Sequence, residues 1–332
     1  MAIFGNSVSE TVSESETLAD EVWVGLQATP KRLSSRYLYD DEGSRLFQAI
    51  MHLPEYYLTR AEFEILTTHK QSILNLFRVA NRPFSLIELG AGDGLKTKVL
   101  LDYFWNEQAQ FNYRPVDISG GALDDLTQSV RSGWPQLSVM PIQAEYVSAL
   151  RQLAEDDDRP DNERRVVLFL GSNIGNFGPA EAVAFYKQLS AQLQPGDLLL
   201  TGFDLQKHPA IVHAAYNDSQ GLTRAFNLNL LRRINRELDA DFDLLAFDHY
   251  ETYLPETGEA RSYLVSREAQ TVTIAALGLT VPFERGEWIY TEMSRKFTRA
   301  QIEVLATQTG FRVVGWFTDE RGYFVDAVYE KV

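Results

Sequence analysis

The 332-residue sequence predicts an α/β fold: a parallel sheet with helices on both faces, joined to a second, smaller α+β domain. From residue 84 to residue 204, short apolar runs alternate with helical patterns of about a dozen residues, the rhythm of right-handed βαβ units. A glycine-rich turn, Gly90-Ala91-Gly92-Asp93-Gly94, follows the first of these runs. Beyond Asp204 the rhythm changes to a long helical stretch and then short strands bounded by turns.

The elements follow in order. FSLIEL at 84–89 is a short apolar run ending in a glycine turn, a buried strand by length and flanks. LKTKVLLDYFW carries apolar residues at helical spacing; FNYRPVDIS reads as a second strand, ALDDLTQSVRSGW as a second helix and LSVMPIQA as a third strand. RRVVLFLG at 164–171, with its paired valines, reads as a central strand. A helix over 179–193 starts at Gly178-Pro179 and ends before Pro195-Gly196, and DLLLTGFD at 197–204 is the next strand. Residues 209–238 read as a long helix broken near Gly221. ARSYLVS, QTVTIAAL, LTVPFE and WIYTEMSRKF read as antiparallel strands, with turns at Pro255-Glu256-Thr257-Gly258 and Glu284-Arg285-Gly286. A helix over 299–309 precedes two closing strands, FRVVGWFTD and GYFVDAVYEKV. Ligands of open parallel sheets sit at the carboxyl ends of the strands, which here are 88–94, 117–119, 144–146, 171–176 and Asp204.

Composition narrows the ligand class. At 45% apolar residues the chain can build a sizeable core, and no run of 18 apolar residues suggests a membrane span. The absence of cysteine excludes disulfides, thiolate zinc sites, iron–sulfur clusters and cysteine nucleophiles. The five histidines form no HxxxH or HExxH spacing, so no metal is expected. A net charge of −15, with only the isolated pairs Arg164-Arg165 and Arg232-Arg233 as basic footing, argues against nucleic acid and against anionic membrane surfaces. A small molecule is the natural ligand and a monomer the default state. The N-terminal residues are acidic and Ser/Thr-rich, without a basic start or an apolar stretch. They read as a solvated tail over 1–18, with the cytoplasm as default address.

The glycine turn is the strongest local signal, and several readings compete for it. A P-loop requires a glycine where Leu95 precedes Lys96-Thr97, and a dinucleotide fingerprint requires one where Leu95 stands. The remaining form, E-L-G-x-G-x-G, resembles the first motif of class I methyltransferases, which bind S-adenosylmethionine on a Rossmann-like sheet; a plain tight turn is the bland alternative. Asp117, at the end of the next strand, stands where a carboxylate meets ribose hydroxyls in nucleotide folds, or else it or Ser119 caps the following helix.

Beyond the turn, SSRYLYDDEGSRLFQAI, LPEYYLTRAE, LIELGAGDGLKT, VLFLGSNIGNF, AFNLNLLRRINREL and TEMSRKF resemble the histidine-specific methyltransferase family that makes trimethylhistidine (hercynine) for ergothioneine synthesis. The resemblance runs from about residue 19 to residue 328. It implies an S-adenosylmethionine domain over 61–206 and 297–332 and a substrate domain over 19–60 and 207–296. It implies that Gly90, Gly92 and Lys96 line the cofactor site, that Asp117 takes the ribose hydroxyls, and that Glu145 and Tyr146 lie at the adenine. Gly171 and Asn176 would face the reacting amine and the substrate carboxylate, with Tyr56 and Tyr216 also on the carboxylate. Tyr39, Glu292, Met293 and Ser294 would line the imidazole pocket, with Asn176 and Tyr39 nearest the chemistry.

Tyrosine hydroxyls and an asparagine amide can hold a carboxylate without placing a cation beside the sulfonium. Taken without the resemblance, Tyr39 and Tyr56 read equally as core tyrosines, Asn176 as a turn cap and Glu292 as an exposed strand charge. Two departures stand out. Glu145 replaces the family's aspartate, keeping the charge on a longer arm, and Ser262 replaces a pocket methionine, which would widen the pocket and loosen selectivity for histidine. The implied reaction is three successive methyl transfers to the α-nitrogen. The rivals are α-N-methylation of tryptophan or tyrosine, and a protein that binds S-adenosylmethionine without turnover.

Overall fold

The computed structural model describes residues 17–79, 82–155 and 163–332; the expected tail lies, as far as residue 16, outside them. The chain forms two compact units. One holds the described residues up to Ile50 with Asn217–Glu251 and Arg261–Glu292, and the other holds Met51–Tyr216, Thr252–Ala260 and Met293–Val332. Tyr56, Tyr216, Met293 and Ser294, assigned by sequence to the substrate domain, thus fall in the unit that carries the glycine turn.

The first unit opens with α1 (Leu18–Gln27), whose N-terminus is closed by a capping box: Asp20 N donates to Thr17 Oγ1 at 3.2 Å and Thr17 N donates to the Asp20 carboxylate at 3.0 Å. β1 (Lys31–Arg32) and α2 (Asp41–Met51) follow.

In the second unit, α3 (Leu58–Phe77) leads into β2 (Phe84–Leu89), α4 (Thr97–Asn106), β3 (Phe111–Asp117), α5 (Gly120–Gly133), β4 (Ile142–Gln143), α6 (Tyr146–Ala154), β5 (Arg164–Phe169), α7 (Pro179–Ala191) and β6 (Leu198–Asp204). Every residue of β2 and β6 is buried, as expected of strands covered on both faces. The predicted third strand survives only in part. Pro141 has no N–H to give, so the run divides into a bridge at Val139 to Tyr113 and the two-residue β4.

α8 (Pro209–Tyr216) and α9 (Leu222–Leu238) are separated at Gly221, whose φ of +73° no other residue adopts cheaply. Four strands come next: β7 (Phe247–Leu254), β8 (Glu259–Ser266), β9 (Gln270–Ile274) and β10 (Leu279–Phe283). β11 (Trp288–Arg295) orders with β1, β8 and β7 as β1-β11-β8-β7, while β9 and β10 form a hairpin of their own. β7 was not foreseen: its alternate positions His249 and Glu251 bury polar side chains, so no apolar period marks it.

After α10 (Arg299–Gln308), the hairpin of β12 (Phe311–Thr318) and β13 (Phe324–Lys331) closes the large sheet. Its order is β12-β13-β6-β5-β2-β3-β4, parallel except that β13 runs antiparallel to β6 and to β12. This is a Rossmann-like sheet with a reversed edge hairpin. Its core sets Val167, Phe169, Leu199 and Phe203 with Tyr186, Leu189, Ile302 and Tyr329, all fully buried. The strand order reverses at β2, with β3 on one side and β5 on the other, so the crevice for a ligand opens at the carboxyl ends of these strands. Among the described residues no helix is long and apolar enough to cross a membrane.

Candidate active site

At the end of β2 the chain turns through Gly90, Gly92 and Gly94, with φ of +73°, +52° and +64°. The N–H groups of Gly90 and Ala91 donate to Val116 O at 2.9 and 3.0 Å, tying the turn to the end of β3. A Cβ on Gly90 would lie 2.9 Å from the Tyr146 hydroxyl and one on Gly94 2.4 Å from Leu126 Cδ1, whereas one on Gly92 would meet nothing within 4 Å. Gly92 therefore fronts open space. Beside it, Asp117 accepts from Gly92 N at 3.0 Å and from Ser119 N at 2.9 Å, which leaves lone pairs on both oxygens. The helix cap falls to Ser119, whose hydroxyl accepts from Ala122 N at 3.3 Å. Tyr146 lies under the turn against Phe169 and Phe185, with its pKa pushed up to about 12 by burial and then by the Asp117 charge. Glu145, just before it, is exposed.

Glu88, the last acid before the turn, is structural. It is buried, and the hydroxyls of Thr97 and Tyr113 each donate to one of its oxygens. Burial outweighs those bonds and pushes its pKa from 4.5 to about 7. The folded chain therefore holds a proton that the unfolded chain has lost between these values, and stability falls as pH rises from about 4.5 through about 7. Glu88→Gln is expected to remove this share, on the order of 3 kcal/mol at most, and to raise the melting temperature at pH 8 more than at pH 5. A pH–melting profile parallel to that of the wild type would refute this.

Across the sheet, Glu62 on α3 is fully buried and accepts the N–H of Gly171 with both oxygens at 2.9 Å, while Lys96 pairs with it. Room for Glu62 comes from Gly202, where a Cβ would stand 2.1 Å from Glu62 Oε1. Asp326 lies opposite Gly202 in the β6–β13 register. Neither Asp326 oxygen meets a donor, and burial followed by the Glu62 charge pushes its pKa well above the usual carboxylate range.

Gly171 (φ +78°) and Ser172 (φ +56°) then turn the chain into the helical turn Asn173–Asn176. The turn approaches the end of β11 closely: a Cβ on Gly175 would be 2.8 Å from Arg295 O and 3.5 Å from Ser294 Oγ. Asn176 is exposed at the end of that turn, and its amide makes no hydrogen bond among the described residues.

Ser294 belongs to a buried polar chain. Its Oγ lies 2.8 Å from the Tyr216 hydroxyl, and Lys296 Nζ donates to Tyr216 at 2.6 Å, to Ser294 at 2.7 Å and to Asp204 Oδ2 at 3.0 Å. Asp204 also accepts from the Tyr57 hydroxyl at 2.8 Å and pairs with Lys207. Tyr56 is buried edge-on to Tyr216, with ring centroids 6.1 Å apart. A cation also lies beside Tyr216. It is Lys296, its charge shared with a carboxylate.

A family model described as histidine-specific methyltransferase, SAM-dependent, matches residues 18–331. The chain belongs to this family. A histidine N-alpha-methyltransferase of Mycolicibacterium smegmatis is 38% identical over 312 residues, 94% of each chain. One of Mycobacterium tuberculosis is 36% identical over 307 residues, 92% of each. Ergothioneine biosynthesis protein 1 of Schizosaccharomyces pombe is 30% identical over 286 residues, which span 85% of this chain and 37% of that protein.

The residues of this methyltransferase fit the cofactor of its family, S-adenosylmethionine. Gly92 leaves backbone room, Asp117 offers acceptors to vicinal hydroxyls, and Lys96, the cation that follows the turn, is matched by Glu62, so it presents no lone positive charge to a sulfonium. The remaining expected residues lie as follows. Tyr39 packs edge-on to Phe47 and Phe226, with centroids 5.5 and 5.3 Å away, and Glu292 and Met293 are half-buried on β11. Ser262 is buried and donates to Glu251 at 2.7 Å, so its hydroxyl is engaged rather than lining open space. Sequence reasoning passed over Glu62, Tyr57 and Lys296, although LPEYYLTRAE and SRKF contain them, and it noted Asp204 only as a strand end. No local signal marks them, since Glu55 and Arg60 stand in the same motif as Glu62 and Tyr57, and Arg295 stands beside Lys296.

Proposed function

We propose that the protein transfers methyl groups from S-adenosylmethionine to the α-amino nitrogen of L-histidine, three in succession, to give hercynine. The observation that most supports this reading is the match of proteins named histidine N-alpha-methyltransferase over 94% and 92% of the chain. Bound S-adenosylmethionine supplies an electrophilic methyl group. The chain's own work is to bind and align. Asp117 holds hydroxyls and braces Gly92; Tyr56 and Tyr216 hold the substrate carboxylate; Tyr39, Glu292 and Met293 read the imidazole. Asn176, with its amide uncommitted, orients the amine. Only a neutral amine has a lone pair to offer, so each round begins with loss of an ammonium proton to water or to a nearby carboxylate. Alignment of such a pair contributes on the order of several kcal/mol.

The test is incubation with S-adenosylmethionine and each of the twenty amino acids, read by mass spectrometry. Histidine gaining three methyl groups is the expected result. Unmodified histidine, or tryptophan or tyrosine modified in its place, sinks the reading. In the same assay Glu292→Ala is expected to lower kcat/KM for histidine about thirtyfold or more and to leave S-adenosylhomocysteine affinity within about threefold. Equal losses in both would remove Glu292 from the imidazole pocket.

A further inference from the structure

We infer that Asp326 is a positioning residue of the methyl transfer that works only while it is neutral, leaving the Glu62 charge to Gly171 and Lys96. The inference rests on the reaction proposed above for its activity readout alone. Asp326 faces Gly202 across the β6–β13 ladder, and residues directly opposite in an antiparallel pair project to the same side. On that side, the Cβ that Gly202 lacks would stand 2.1 Å from Glu62 Oε1, so the two carboxyl groups are neighbours over this glycine. Both are fully buried. Aromatic rings close the rest of the space. Phe324 would lie 2.9 Å from the same Cβ, and Phe317 pairs with Asp326 from β12.

Charge decides which form Asp326 takes. Glu62 is matched by Lys96 and held by the Gly171 N–H, so that pair is balanced without Asp326. The other ionisable groups around it are engaged elsewhere. Glu88 is served by the Thr97 and Tyr113 hydroxyls, and Asp204 by Lys207 and Lys296. His69, on α3 with Glu62, lies against the Phe317 ring with a ring nitrogen 3.2 Å from Thr318 O. Among the described residues no donor reaches either Asp326 oxygen. An ionised Asp326 would set two buried negative charges against one ammonium. Burial and then the Glu62 charge accordingly hold its proton well past the usual carboxylate range. If that proton is lost, Glu62 is repelled from the space over Gly202 and its hold on Gly171 N weakens. The turn that begins at Gly171 and carries Asn176 then loses its fixed start.

Infrared difference spectra of the ligand-free enzyme, wild type minus Asp326→Asn, test the proton directly. The carbonyl band of a protonated carboxylic acid is expected at neutral pH and is expected to vanish below about pH 10. Isotope-labelled aspartate assigns the same band in the wild type if Asp326→Asn does not fold. In Glu62→Gln, compared with Glu62→Gln/Asp326→Asn, the band is expected to vanish at least about one pH unit lower, because no charge opposes ionisation. At saturating histidine and S-adenosylmethionine, wild-type kcat is expected to fall about tenfold or more over the pH range in which the band is lost. Asp326→Asn stays neutral and is expected to lack that fall. A missing band at neutral pH, or a band lost while kcat holds, overturns the proposal. So does a wild type without an alkaline fall, or an Asp326→Asn enzyme that keeps it. A wild type that methylates some other amino acid refutes only the histidine reading; the band in the free enzyme, with kcat on that amino acid, then decides Asp326.

Discussion

Replacing Glu62 by alanine is expected to lower kcat/KM about a hundredfold to a thousandfold, the largest loss from any residue that touches neither ligand directly. Three things go at once. Gly171 N loses both of its acceptors, Lys96 loses its counter-ion, and Asp326 loses the neighbouring charge that helps to raise its pKa. Lys96 is partly exposed and can turn its ammonium to water, so its share of the cost is small. Gly171 has no such escape: its N–H is pinned at a left-handed turn that sets where the Asn173–Asn176 segment begins. The damage should therefore fall on alignment, lowering kcat more than it raises KM. Glu62→Gln keeps an acceptor for Gly171 and should recover at least tenfold of the loss, roughly the value of one hydrogen bond to a buried donor. Initial rates against histidine concentration separate these effects. A folded Glu62→Ala enzyme within tenfold of wild type would show that the tether to Gly171 does not matter.

What the sequence disclosed and what it hid divide along a physical line. β2, β5 and β6 were legible because apolar runs of strand length, closed by turn residues, have few other uses. The break at Gly221 and the turn at Gly90–Gly94 were legible because glycine marks where φ must be positive. β7 was hidden because His249 and Glu251 occupy positions where an apolar period was sought. The buried charges were hidden for a related reason. Glu62, Asp204 and Lys296 look like surface residues until the fold brings each to its partner, and those partners lie far away in sequence: Glu62 meets the N–H of residue 171 and Asp204 meets residue 296. Tyr216 and Ser294 were chosen by resemblance, but the cation between them and the carboxylate was not foreseen. The grouping of elements was also out of reach, since periodicity identifies α8 as a helix without telling which unit it joins.

Asp117→Ala is the second large effect, and it should be confined to the cofactor. The side chain does two jobs: it accepts from Gly92 N, which fixes the turn, and it has acceptor capacity left for ribose hydroxyls. Charge-assisted bonds of this kind are each worth about 1.5–3 kcal/mol, so losing the brace and the ribose contact together should weaken S-adenosylhomocysteine binding about a hundredfold or more. Asp117→Asn retains one carbonyl oxygen and should lose about tenfold. A readout independent of turnover is available in Tyr146, whose phenol is held at about 12 by burial first and by the Asp117 charge second. Removing that charge should lower the phenol's pKa while burial keeps it above the ordinary value of 10, an effect visible by ultraviolet titration. Should S-adenosylhomocysteine bind Asp117→Ala as tightly as wild type while the Tyr146 titration shifts, the carboxylate would be a brace for the turn only, and the ribose would have to be held by another group.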